Sequence, residues 1–164
     1  MSGQGQARRR PRPFRGALKA SATTTAERTA ARRSRIVAAM ATTDITAQDF
    51  QKTLEDNEIL LVDFWADWCG PCKQFAPVYE KVSEEHPDVT FAKVDTEAEQ
   101  ELAAAASISS IPTLMAFREK VLVFSQPGAL NADQLTEVIT AVKGLDMEEI
   151  HRQIAEDEAE GQQA

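Results

Sequence analysis

Two cysteines, Cys69 and Cys72, are the only ones in the chain, and they stand three positions apart in Trp68-Cys69-Gly70-Pro71-Cys72. A short apolar run, Ile59-Leu60-Leu61-Val62-Asp63-Phe64-Trp65, precedes them, and a helical pattern follows. Where a buried strand feeds a helix, the first thiol falls at the helix N-terminus, where the dipole and the free N–H groups favour a thiolate. The second thiol comes one turn later, near enough to close a disulfide with little movement. Gly70 and Pro71 permit the tight turn, and a proline is tolerated in the first helical turn because its missing N–H has no partner there. This pattern implies thiol–disulfide chemistry. The competing use is half of a metal site. It needs more ligands than this sequence offers nearby, because there is no second cysteine pair and His86 and His151 are distant. Asp63 is the second group of chemical interest. Leu61, Val62, Phe64 and Trp65 around it predict burial, and a buried carboxyl favours its protonated form.

The elements that must position these groups follow from periodicity and end signals. Thr46 with Asp49 predicts a helix start, Phe50 and Leu54 share its buried face, and Asn57 ends it. Ile59 to Trp65 predicts a central strand covered on both faces. Phe75, Val78, Tyr79 and Val82 recur at helical spacing until His86-Pro87. Val89 to Asp95 alternates as a strand, and Glu97 to Ala106 predicts an Ala-rich helix. Thr113 to Phe117 and Val121 to Ser125 flank Arg118-Glu119-Lys120 as a β-hairpin. Asn131 with Gln134 opens a helix with Leu135, Val138, Ile139 and Val142 on its inner face and Gly144 as its stop. The order is helix, strand, helix, strand, helix, hairpin, helix, an α/β sandwich around a mixed sheet. Asp146 with Glu149 opens a last helix. Its narrow stripe of Met147, Ile150 and Ile154 predicts a solvated appendage that buries little.

Length and charge set the outer limits. The 164 residues suit one domain with tails, and no apolar run approaches the length of a membrane-spanning helix. Residues 1–39 hold nine Arg and one Lys against the single Glu27, a net charge of +9, whereas the remainder carries −17. The division expected is a basic leader over 1–40 too poor in apolar residues to fold, a folded domain over 41–144, and an acidic tail over 145–164. For the leader we favour a start at Met40 that leaves it outside the working protein. An Arg-rich transit peptide comes second and a nucleic-acid arm third. The expected location is therefore the cytoplasm, or an organelle matrix or stroma if 1–40 is a transit peptide.

Val62-Asp63-Phe64-Trp65-Ala66-Asp67-Trp68-Cys69-Gly70-Pro71-Cys72-Lys73 resembles the active-site segment of the thioredoxin family. Ser110-Ile111-Pro112-Thr113-Leu114 is similar to that family's cis-proline loop, Pro77 to its helix-kinking proline, and Pro127-Gly128-Ala129-Leu130 to its substrate-side glycine turn. The resemblance spans roughly residues 42–144. The pattern differs in a very short first strand before Ile45 and in Arg118-Glu119-Lys120 where the family has an Asn-Gly type turn.

The resemblance implies a thioredoxin fold and a set of roles. Cys69 would attack a substrate disulfide, and Cys72 would resolve the mixed disulfide. Asp63 would accept the proton of Cys72, with Lys93 as its charge partner from the neighbouring strand. Pro112 would be cis and lie against the dithiol, leaving the backbone of Ile111 to bond the substrate chain. Trp68, Gly70, Pro71 and Gly128 would belong to the substrate surface, with Trp68 exposed and Trp65 packed beneath the loop. The redox group would be the Cys69–Cys72 pair itself, without a cofactor or metal. Partners would be thioredoxin reductase and disulfide-containing client proteins, with neither membrane nor nucleic acid, and the chain would be a monomer. Gly70-Pro71 is the pairing of the superfamily's reducing branch, which implies a role in electron transport and cell redox homeostasis. It argues against an oxidant or isomerase, and the intact Asp63, Cys69, Cys72 and Pro112 set argues against a non-enzymatic adaptor.

Overall fold

All residues from Ile59 to Phe64 are buried, as a nearly continuous apolar run requires when both faces of a sheet are covered. The computed structural model describes residues 41–161, so the leader expected over 1–40 and the last residues, 162–164, lie outside the described residues. Strand β2, Ile59–Trp65, is the middle of a five-stranded sheet. The other strands are β1 (Thr42–Asp44), β3 (Thr90–Asp95), β4 (Thr113–Arg118) and β5 (Val121–Pro127), in the order β1-β3-β2-β4-β5. β1, β3 and β2 run parallel, while β4 and β5 are antiparallel to their neighbours.

Alternation along β2 sends its side chains to two cores. Leu61 faces helices α2 (Gly70–Glu85) and α4 (Ala132–Lys143), among Phe75, Tyr79, Leu135 and Ile139. Leu60, Val62 and Phe64 face α1 (Ala47–Asp56) and α3 (Gln100–Ala105), with Leu54, Val94 and Met115. The helix ends follow their local signals. Thr46 caps α1 through the Asp49 N–H, and Asn131 and Gln134 form a reciprocal capping box on α4. The fold is the expected mixed sheet flanked by helices. Among the described residues, no helix is long and apolar enough to cross a membrane.

Three features depart from the sequence expectation. β1, absent from the element order read off periodicity, pairs with Phe91–Lys93 of β3 through only three residues of polar sequence. An edge strand that short leaves no period to detect. In the hairpin, Glu119 (φ 49°) and Lys120 (φ 71°) both adopt the left-handed conformation that usually calls for Asn-Gly. Tertiary contacts hold this turn. Glu119 donates its N–H to Glu58 O at 2.8 Å, and its carboxylate lies 2.9 Å from His151 Nε2. Arg118 Nη1 donates to the carbonyls of Val142, Lys143 and Leu145 at 2.8–2.9 Å. The last helix, α5 (Met147–Gly161), is therefore more than a loose appendage. It buries Met147 and meets the hairpin through His151, although most of its length is solvated.

Candidate active site

The turn between β2 and α2 carries the dithiol. Cys69 is the N-cap of α2, and its Sγ accepts the Cys72 N–H at 3.2 Å. An N-cap normally uses a side-chain oxygen for this task. Here sulfur takes that place, so the helix end acts directly on the first thiol. Cys69 and Cys72 form a disulfide with Cα atoms 5.3 Å apart. Both residues are only 3% exposed, so overall exposure does not distinguish them. Position does. Cys69 borders a groove of about 620 Å³ whose walls include Trp68, Gly70, Pro71, Ala103 and Ile111, and Cys72 is not part of its lining.

The Ile111–Pro112 bond is cis, and Ile111 O lies 3.7 Å from Cys69 Sγ. Gly128, at φ 103°, donates its N–H to Pro112 O at 2.8 Å, a backbone conformation that suits glycine. It braces the proline loop from behind and does not line the groove. Trp68 is 69% exposed, and its indole N–H donates to Glu97 Oε1 at 2.9 Å. Pro77 lies inside α2, beyond the groove lining, where it removes the N–H that would have bonded the Lys73 carbonyl.

Asp63 is 1% exposed, and neither carboxyl oxygen has a hydrogen-bond partner among the described residues. Burial pushes its pKa up to about 7, against the opposing pull of the Lys93 charge. Lys93 is its register partner on β3, but among the described residues the two form no ion pair. Lys93 Nζ instead sits 5.0 Å from the centroid of the half-buried Trp65 ring. Tyr79, fully buried on α2, places its hydroxyl 3.0 Å from Leu61 O and 2.9 Å from Ala92 O, spanning β2 and β3.

Several residues of this site carry no signal in the local sequence. Glu97 meets Trp68 across 29 positions, and Thr96, Gln100 and Ala103 reach the groove from the far end of β3 and from α3. Their surroundings are polar or Ala-rich segments whose pattern speaks only of a turn and a helix.

The thioredoxin family model matches residues 41–141. A Streptomyces coelicolor protein that bears the name thioredoxin 2 is 57% identical over 119 residues, 73% of this chain and 89% of the relative. Among solved structures, a mutant thioredoxin from Halobacterium salinarum NRC-1 is 32% identical with a TM-score of 0.60, covering 64% of this chain and 93% of that one. Spinach chloroplast thioredoxin f in its short form is 33% identical with a TM-score of 0.59, covering 63% and 94%.

Proposed function

This chain belongs to the thioredoxin family of thiol–disulfide oxidoreductases, and we propose that it reduces client protein disulfides with Cys69 as nucleophile and Cys72 as resolving thiol. The observation that carries the assignment is the asymmetry of the dithiol: Cys69 caps the helix and borders the groove, whereas Cys72 is one turn in and outside it. In the reduced chain the Cys72 N–H and the helix dipole stabilise a thiolate on Cys69. That thiolate attacks one sulfur of the client disulfide. The client S–S bond breaks, its other sulfur leaves as a thiolate, and a mixed disulfide forms on Cys69.

Cys72 then gives its proton to the Asp63 carboxylate and attacks Cys69 Sγ. The client's second sulfur leaves, the client has gained two electrons, and the Cys69–Cys72 disulfide is restored. A carboxyl whose pKa lies near 7 is suited to this transfer, because both of its forms are populated at neutral pH. The client chain lies in the groove against Trp68, Gly70, Pro71 and the Ile111 backbone, with Pro112 and Gly128 fixing the loop and Pro77 and Lys93 in supporting positions. The redox group is the dithiol itself, so no cofactor is needed. A thioredoxin reductase returns the disulfide to the dithiol, which makes the chain a link in electron transport. The working form is a monomer in a reducing compartment, the cytoplasm.

Insulin reduction and client trapping test this reading. Cys69→Ser should abolish turnover, and Cys72→Ser should accumulate clients as mixed disulfides through Cys69. Trapping by Cys69→Ser instead would reverse the roles.

A further inference from the structure

The Trp65 ring faces the α2 side of β2, two residues beyond Asp63, and its N–H has no partner among the described residues. The polar contact this ring makes is through its face, which carries the Lys93 ammonium 5.0 Å from the centroid. An indole face attracts a cation, most strongly where water is partly excluded. Lys93 has other places to go. Lys93 borders a cavity of about 590 Å³ lined also by Asp44 from β1 and by Glu80 and Glu84 from α2. Asp44 is its register partner on β1, just as Asp63 is on β2. Three exposed carboxylates therefore compete with one buried carboxyl for a single ammonium.

We propose that Trp65 is a positioning residue for the redox centre: its face holds the Lys93 ammonium on the Asp63 side of the sheet, away from Asp44, Glu80 and Glu84. The arrangement keeps the cation within electrostatic reach of Asp63 without closing an ion pair. A closed pair would hold the carboxylate permanently ionised, and a lysine drawn into the acidic cavity would leave it with no cation to moderate burial. The other titratable side chain facing Asp63 is Tyr79, buried on α2 within electrostatic reach of it, and β4 places Leu114 opposite it. The proposal concerns how Asp63 titrates. It bears on catalysis only through the proposed role of Asp63 as proton acceptor.

The test is an NMR carboxyl titration of Asp63 in the oxidised full chain, where neither cysteine titrates, for Trp65→Leu, Lys93→Met and the double variant. Trp65→Leu should raise the Asp63 midpoint by about half a unit or more when Lys93 is present and should produce no such rise on Lys93→Met. Trp65→Phe retains a ring with a weaker face and should give a smaller rise in the same direction, which keeps the test available if the leucine variant folds poorly. Equal effects of Trp65→Leu in both backgrounds would overturn the proposal. So would a fall in the midpoint that requires Lys93, because that would mean the freed lysine closes onto Asp63. Turnover of Asp63→Asn is measured alongside. Full activity in that variant would remove Asp63 from the mechanism while leaving the titration result to decide the role of Trp65.

Discussion

Asp63 and Lys93 face each other directly in the parallel register of β2 and β3, yet among the described residues the carboxylate has no hydrogen bond and the ammonium lies over Trp65. A buried carboxyl in that position opposes folding once it must ionise. Its pKa rises from 3.8 to about 7 on folding. Between those values the folded chain holds a proton that the unfolded chain has lost, so stability falls as pH rises and levels off above the upper value. Asp63→Asn should flatten this slope and gain up to about 4 kcal/mol at pH 8, with little gain at pH 4. Denaturant melts at both pH values read the difference, and equal gains at both would contradict the assignment. Turnover should fall in the same variant.

The Trp68 hydrogen bond to Glu97 restrains a largely exposed ring beside Cys69. Glu97→Ala removes the acceptor and leaves the thiols untouched. KM for a protein disulfide should rise a few-fold with kcat nearly unchanged, whereas reduction of a small aromatic disulfide should stay at the parent rate. A fall in kcat for both substrates would place Glu97 in the chemistry itself.

Tyr79 supplies one hydroxyl proton to a site flanked by two buried carbonyls. Tyr79→Phe keeps the aromatic packing against Phe75 and Phe91 and deletes only that donor. The expected cost is about 1–2 kcal/mol of stability, read as a lower denaturant midpoint with unchanged slope. An unchanged midpoint would show that the carbonyls are satisfied without it.

Arg118 joins the hairpin to the end of α4 and to the connection into α5. Truncation after Gly144 removes the Leu145 carbonyl and the buried Met147, and it should cost about 1–2 kcal/mol. Insulin reduction should continue at the parent rate, since α5 contributes nothing to the dithiol groove. Arg118→Met in the full chain should lower Tm by a similar several degrees. A truncated chain that melts with the parent would make α5 the solvated appendage that its composition suggests.

The dithiol turn, the burial of β2 and the capped starts of α1 and α4 were legible in the sequence because each is a local pattern. A strand covered on both faces reads as an apolar run, a cap reads as a side chain three residues before its partner, and the Cys69–Cys72 spacing is the motif itself. Burial of Asp63 also followed from its neighbours, since alternation sends its side chain into a covered face. Tertiary structure decided the rest. β1 is too short and too polar to show a period, and it exists because β3 offers an edge. The left-handed turn at Glu119 and Lys120 contradicts local preference and is held by Glu58 and His151, while Arg118 beside it grips the end of α4. Glu97 reaches Trp68, and Lys93 rests on Trp65 rather than on Asp63, because strands and helices distant in sequence meet at one end of the sheet. Such contacts have no period along the chain: packing sets them, by deciding which of several competing partners a long side chain can reach.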